Sequence, residues 1–132
     1  MSSAVNECLA AIQARLAGDA GLAALIGAGG MRDRRADRLD LPALVLSAVE
    51  SRDYSTACEA GLEILLTLEA WSAEGRREAE VIGETVRGLL DDAAPALAGH
   101  ALVSLRHRRT ISRREAKTGF FVAEMVFRAV VE

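Results

Sequence analysis

Residues 62–71, Leu62-Glu63-Ile64-Leu65-Leu66-Thr67-Leu68-Glu69-Ala70-Trp71, carry the pattern that decides the fold. In an extended chain successive side chains alternate sides, so Leu62, Ile64, Leu66, Leu68 and Ala70 share one face. Glu63, Leu65, Thr67, Glu69 and Trp71 share the other. Towards the C-terminus, Ala79, Ile82, Val86, Leu89 and Leu90 keep a helical period and predict a helix over 74–91, ended by Asp91-Asp92 and Pro95. Residues 100–111 and 118–131 predict a long hairpin with its tip at 112–117. Its last strand lines up Phe121, Ala123, Met125, Phe127, Ala129 and Val131. Towards the N-terminus, 43–50 reads as a strand entered from Pro42, a residue that suits the start of a strand better than its middle. Residues 31–40 alternate charges and predict a short edge strand and a loop. Val5, Cys8, Leu9, Ile12 and Leu16 form a helical stripe over 4–17, with Ser3 as N-cap and Gly18 as terminator. Asp19 caps a second short helical turn bearing Leu22, Leu25 and Ile26, stopped by Gly27-Ala28-Gly29-Gly30.

Two main helices with one apolar stripe each can cover only one face of a sheet of four to five strands. The expected fold class is therefore α+β: a two-layer, single domain over 1–132, its antiparallel sheet covered on one face and closed by a long C-terminal β-hairpin. The 132 residues are 51% hydrophobic and 27% charged, enough to build a core without disulfides or metal. A formal net charge of −3 argues against a uniformly basic nucleic-acid binder. No uncharged apolar run reaches the ~18 residues of a membrane span, and the start lacks the basic-then-apolar pattern of a signal peptide. Cys8 and Cys58 form no CxxC pair and fit a reducing compartment. Arginine outnumbers lysine 15 to 1, which with abundant alanine reads as the coding bias of a GC-rich genome.

The face of the sheet away from the helices is expected to carry Glu63, Leu65, Thr67, Glu69 and Trp71 beside Leu102, Ser104, Arg106 and Arg108. The last strand adds Phe120, Val122, Glu124, Val126, Arg128 and Val130. A freely solvated antiparallel face is nearly all polar, and this one is not. Cross-strand Glu–Arg pairs account for the charges, and the apolar remainder suits a protein partner. A curl of the sheet that buries some of these residues is the other reading. Arg106, His107, Arg108, Arg109, Arg113, Arg114 and Lys117 gather positive charge on one hairpin. Arg106, Arg108 and Arg109 are expected to contact a partner. Arg113, Arg114 and Lys117 are expected at a solvated, charge-protected tip.

Sites for chemistry are few. There is no HExxH motif, P-loop or Rossmann glycine fingerprint, and the Gly27–Gly30 run follows a helix and lacks the Lys-Ser/Thr that holds phosphate. Two histidines, His100 and His107, without a neighbouring Cys or Asp pair do not make a zinc site. Cys8 falls on a core face, and Cys58 has no base beside it. No catalytic, metal or cofactor residue is assigned.

The order of segments resembles a family. It comprises Ala14-Arg15-Leu16-Ala17 followed by Asp19-Ala20-Gly21-Leu22-Ala23-Ala24-Leu25-Ile26, Arg32-Asp33-Arg34, and Leu41-Pro42 leading into a strand. It continues with Arg52-Asp53-Tyr54-Ser55-Thr56 as a turn, Glu69-Ala70-Trp71-Ser72 ending a strand, and Gly75-Arg76-Arg77-Glu78-Ala79 opening a helix. Leu102-Val103-Ser104-Leu105-Arg106 and Val126-Phe127-Arg128-Ala129 close it. This order is similar to that of the tail completion, or tail terminator, subunits of long-tailed phages and phage-like gene transfer agents. The likeness covers nearly the whole chain and rests on order and spacing; Ala43 departs from it, standing where the family carries an aromatic.

The resemblance implies a virion structural protein at the head–tail junction, assembled in the host cytoplasm. It implies a homohexameric ring that caps the tail tube protein, ends its polymerisation and docks to the head–tail connector. DNA passes through the lumen without specific binding, and no membrane is involved. The interface is expected to use Glu63, Leu65, Glu69, Trp71, Arg106, Arg108, Arg109, Val122, Glu124, Val126 and Arg128, with the half-apolar face and the acidic flank Glu74, Glu78, Glu80 and Glu84 as the two patches that meet the Arg-rich hairpin. Replacing Arg106 and Arg108 by Glu is expected to block assembly without unfolding the subunit. Two other readings stand beside it. One is a stand-alone α+β ligand-binding or regulatory domain, which requires an apolar cavity between helix and sheet and a monomer or two-fold dimer. The other is a small enzyme using Cys58 or His107.

Overall fold

The computed structural model describes residues 3–27, 30–32 and 41–132. The loop expected within 31–40, the Ala28-Gly29 pair and the Asp33-Arg34 part of the resemblance lie outside the described residues. The elements are α1 (Ala4–Ala17), α2 (Ala20–Ile26), β1 (Met31–Arg32), β2 (Ala43–Asp53), β3 (Leu62–Ser72), α3 (Arg76–Leu90), β4 (Leu102–Arg114) and β5 (Phe121–Val131). Local chemistry sets the helix starts. Ser3 Oγ accepts from the Asn6 N–H at 3.0 Å, and an Asp19 carboxylate oxygen accepts from the Leu22 N–H at 2.8 Å. α3 lacks a side-chain cap on Gly75. Ser72 Oγ instead accepts from the N–H groups of Glu74 and Gly75 and donates to Glu78, tying the end of β3 to the first turn of the helix.

The sheet order is β1-β2-β3-β5-β4. Four strands are antiparallel neighbours, but β1 runs parallel to β2, so the sheet is mixed where an antiparallel one was expected. β3 and β5 lie inside and pair without a break from Leu62↔Val131 to Ser72↔Phe121. Their apolar rows, Ile64, Leu66, Leu68 and Ala70 beside Ala123, Met125, Phe127 and Ala129, meet Cys8, Ile12 and Leu16 of α1, Leu22 of α2 and Ala79, Ile82, Val86 and Leu90 of α3. Burial pushes the Cys8 thiol up to about 11, so it stays a neutral apolar group. Among the described residues no single helix is long and apolar enough to cross a membrane.

The hairpin turns later than expected. β4 runs through Arg113 and Arg114, and the turn occupies 115–120, where Gly119 takes φ 76° and Glu115 donates its N–H to the Phe120 carbonyl. Of the three residues assigned to the tip, only Lys117 is in the turn. Likewise Arg52 and Asp53 finish β2, and the β2–β3 turn begins at Tyr54.

Gly83 lets α3 lie close to the sheet, for a Cβ there would meet the Ala123 Cβ at 3.4 Å and the Met125 Sδ at 3.7 Å. Gly83→Leu should lift the helix off β5 and cost about 1–3 kcal/mol, read as a lower urea midpoint. Gly88→Ala, on the exposed side with open space around it, should instead stabilise by about 0.5–1 kcal/mol.

Candidate assembly surface

Register places five cross-strand rows on the face the helices leave uncovered. From one end they are Arg52, Glu63, Val130 and Ser104; Glu50, Leu65, Arg128 and Arg106; Ala48, Thr67, Val126 and Arg109; Val45, Glu69, Glu124 and Ile111; and Ala43, Trp71, Val122 and Arg113. The expected rows of β3 and β5 lie here. Those of β4 are shifted by bulges between Leu102 and Ser104 and between His107 and Arg109. Leu102 consequently pairs with Val131 on the core side, and Arg109 takes the place in the row that strict alternation gives to Arg108.

At one end the face closes on itself. Trp71 and Val122 are 3% and 0% exposed and pack with Val45 and Phe120 in a second apolar cluster. The indole Nε1 donates to Glu69 at 3.1 Å, while the Arg113 guanidinium lies 3.4 Å from Glu69, 3.8 Å from Glu124 and over the Trp71 ring. Arg113 is thus a clamp on this cluster and not part of a solvated tip. Burial, reinforced by the neighbouring Glu124 charge, raises the pKa of Glu69. Trp71 and Val122, expected to face a partner, are covered by their own chain.

The other end is open. Glu63 accepts from both Arg52 and Arg128, and these bonds, Arg128 first, hold its carboxyl below the usual carboxylate range. Arg128 also lies 5.2 Å from the centre of the Tyr54 ring. Beside this group is an open hollow of about 470 Å³ lined by Arg52, Glu63, Leu65, Arg108, Arg109, Val126 and Arg128. The bulge delivers both Arg108 and Arg109 to it. Both are exposed and, among the described residues, neither forms an ion pair.

Arg106 has a different role from the expected one. Its guanidinium sits 3.1 Å from Asp91 and 3.9 Å from Asp92, the His107 N–H donates to Asp91, and the Asp92 N–H donates to the Leu105 carbonyl. The end of α3 therefore covers the outer edge of β4 at 105–107. Substituting Arg106 would loosen this contact within the chain, so it cannot test assembly cleanly. The acidic flank of α3 is partly used internally as well, with Glu78 bonded to Ser72 and Glu84 3.8 Å from Arg87. Nothing in the sequence flagged the Asp91–edge contact, because it joins segments that only the fold brings together.

Residues considered for chemistry are scattered. Cys58 is exposed in the β2–β3 turn, and His107 packs edge-on against Phe127 with Nε2 2.7 Å from Thr110 Oγ1. His100 Nδ1 lies 3.1 Å from Glu7, whose carboxyl is held low by the Gly99 N–H and then by His100. Among the described residues no group of three or more His, Cys, Asp or Glu is placed to hold a metal ion. A small apolar hollow of about 210 Å³ lies between α1 and the sheet, lined by Leu9, Ile12, Leu16, Met31, Leu46, Leu66 and Leu68 among others.

The distinctive feature of the geometry is a charged, half-apolar sheet face. The family model described as "Tail completion protein gp17" matches residues 10–132, and the chain belongs to that family of phage tail components. It is thereby a structural tail protein of a virion or virus-like particle. A chain from the virion of a native gene transfer agent (GTA) particle has the same fold at TM-score 0.88 and 28% identity, over 100% of this chain and 99% of that one. No curated protein matches the sequence.

The pH dependence of stability follows from these carboxylates. The folded pKa of Glu63 is depressed below 4.5, so its stabilisation is complete above that value and disappears as the pH falls through the folded pKa. Glu63→Gln should melt lower than the parent near neutral pH, and the gap should narrow in melts below about pH 4.5. Glu69, with its pKa raised, should slope the other way.

Proposed function

We propose that this chain is a non-enzymatic ring subunit that caps the tail tube. Six copies form the ring, end polymerisation of the tube and join the tail to the head–tail connector, and genomic DNA passes through the lumen without being read. The observation that carries the reading is the open half of the uncovered face, where Leu65 and Val126 lie half-buried among arginines. Such a surface suits a protein neighbour better than bulk water. The tail completion family and the likeness to a chain of a GTA virion support the same role.

Charge supports passage without binding. A lumen through which DNA slides has to avoid strong, salt-dependent phosphate attraction. On this face Arg52 and Arg128 are held by Glu63, and Arg113 by Glu69 and Glu124, which leaves Arg108 and Arg109 for a neighbour. A closed ring joins unlike patches on successive copies, and the open hollow is left for a protein neighbour. The ligand-binding alternative has one observation in its favour, the apolar hollow under α1. Its volume of about 210 Å³ lies below the roughly 300–1,000 Å³ of small-molecule sites.

Arg108→Glu with Arg109→Glu should reduce incorporation of the subunit into particles at least about tenfold. Its circular dichroism and melting temperature should stay close to those of the parent, since exposed substitutions cost within about 0.5 kcal/mol. Normal tail joining by this double variant would remove the proposal.

A further inference from the structure

Among the described residues, both edges of the sheet are half covered and half bare. β1 pairs only with Leu44 and Val45, so among the described residues the rest of β2 has no neighbour on that side, and all of 47–53 is exposed. At the far edge Asp91 and Asp92 cover β4 at 105–107 and leave 110–114 without a backbone partner on its outer side among the described residues. The Tyr54 N–H donates inward to the Gly61 carbonyl, so by alternation Asp53, Ser51 and Val49 aim their backbone groups away from the sheet. On β4 the Glu115 N–H donates inward to Phe120, so Arg114, Ser112 and Thr110 aim theirs outward. Long unpaired edges are templates for another strand, and soluble proteins ordinarily blunt them along their whole length.

We infer that residues 49–53 of one copy pair with residues 110–114 of the next, making the sheet continuous from subunit to subunit. This rests on the ring reading and names the contact that closes it. β2 and β4 run in opposite directions within one sheet, so copies related by rotation about a ring axis bring them together antiparallel. The pleat agrees. Val49, Ser51 and Asp53 share the helix side of the sheet, as do Thr110, Ser112 and Arg114, so pairing keeps the helix layers of neighbours on one side.

Charge selects the register. With Ser51 opposite Ser112, Glu50 faces Arg113 and Arg52 faces Ile111. Sliding by two residues in either direction puts Arg52 against Arg113 or against Arg109, and like charges directly opposite are unfavourable. In the selected register Ile111, 40% exposed on its own, gains the aliphatic stem of Arg52. Glu50, exposed and without an ion pair among the described residues, comes opposite Arg113, which Glu69 and Glu124 already hold within its own copy.

Cysteines at 51 and 112, introduced into a chain with Cys58→Ser, test the contact in assembled particles. Residues facing each other in an antiparallel pair have Cα atoms about 4.5–5.5 Å apart, within reach of a disulfide. Mild oxidation should give a ladder of covalent multimers on a non-reducing gel, rising to the ring number and absent from either single variant. The pairs 49 with 114 and 53 with 110 should cross-link too. Ser51→Pro should abolish incorporation while preserving the circular dichroism spectrum, because the N–H it removes faces away from β3. Rings in a particle map with none of the three pairs cross-linking would overturn edge pairing and leave the ring reading intact, and rings whose β4 edge faces DNA would do the same. A particle map with no ring would overturn both.

Discussion

The register between β3 and β5 is the constraint on which the rest depends. Side chains alternate with a period of two, so a slip of one residue would turn one strand's apolar row out of the core, either Ile64 and Leu66 with Glu63 brought in or Met125 and Phe127 with Arg128 brought in. The unbroken pairing of these two strands aligns one apolar row under three helices. It also aligns the other rows so that Glu63 meets Arg128 and Trp71 meets Val122. Core and surface are specified together.

A sheet with helices on one side only has a second face that must be reconciled with water. This chain does so differently at the two ends. One end buries its aromatics under Arg113 and a Glu69–Glu124 pair. The other holds Glu63 between two arginines and exposes a hollow with an apolar floor and two cations that form no ion pair among the described residues. The first end covers its own apolar surface; the second leaves an apolar floor open to a contact.

The bulges in β4 connect fold to function. One extra residue between His107 and Arg109 keeps His107 on Phe127 while turning both Arg108 and Arg109 towards the hollow. Just before it, the α3 end covers the strand edge through Asp91 and Asp92. Among the described residues, the edge is thereby protected where the subunit's own helix reaches it and bare where it does not, and β2 shows the same division beyond β1.

Much of this was legible in the sequence. Alternation in 62–71 and 121–131, the helical stripes of α1 and α3 and the caps Ser3 and Asp19 are local patterns, and local patterns fix element type and inward face. The two-layer α+β class followed from counting apolar stripes against strands, and the Glu–Arg character of the second face followed from the rows left over. Tertiary structure alone decided which arginine meets which acid. A bulge costs no sequence signature, yet it exchanged Arg108 for Arg109 in the outer row. Arg106 reached Asp91 and Arg113 reached Glu69 because chain segments remote in sequence converge there. Trp71 and Val122 are covered for the same reason: their neighbours Val45 and Phe120 come from strand and turn positions that only the assembled sheet brings beside them.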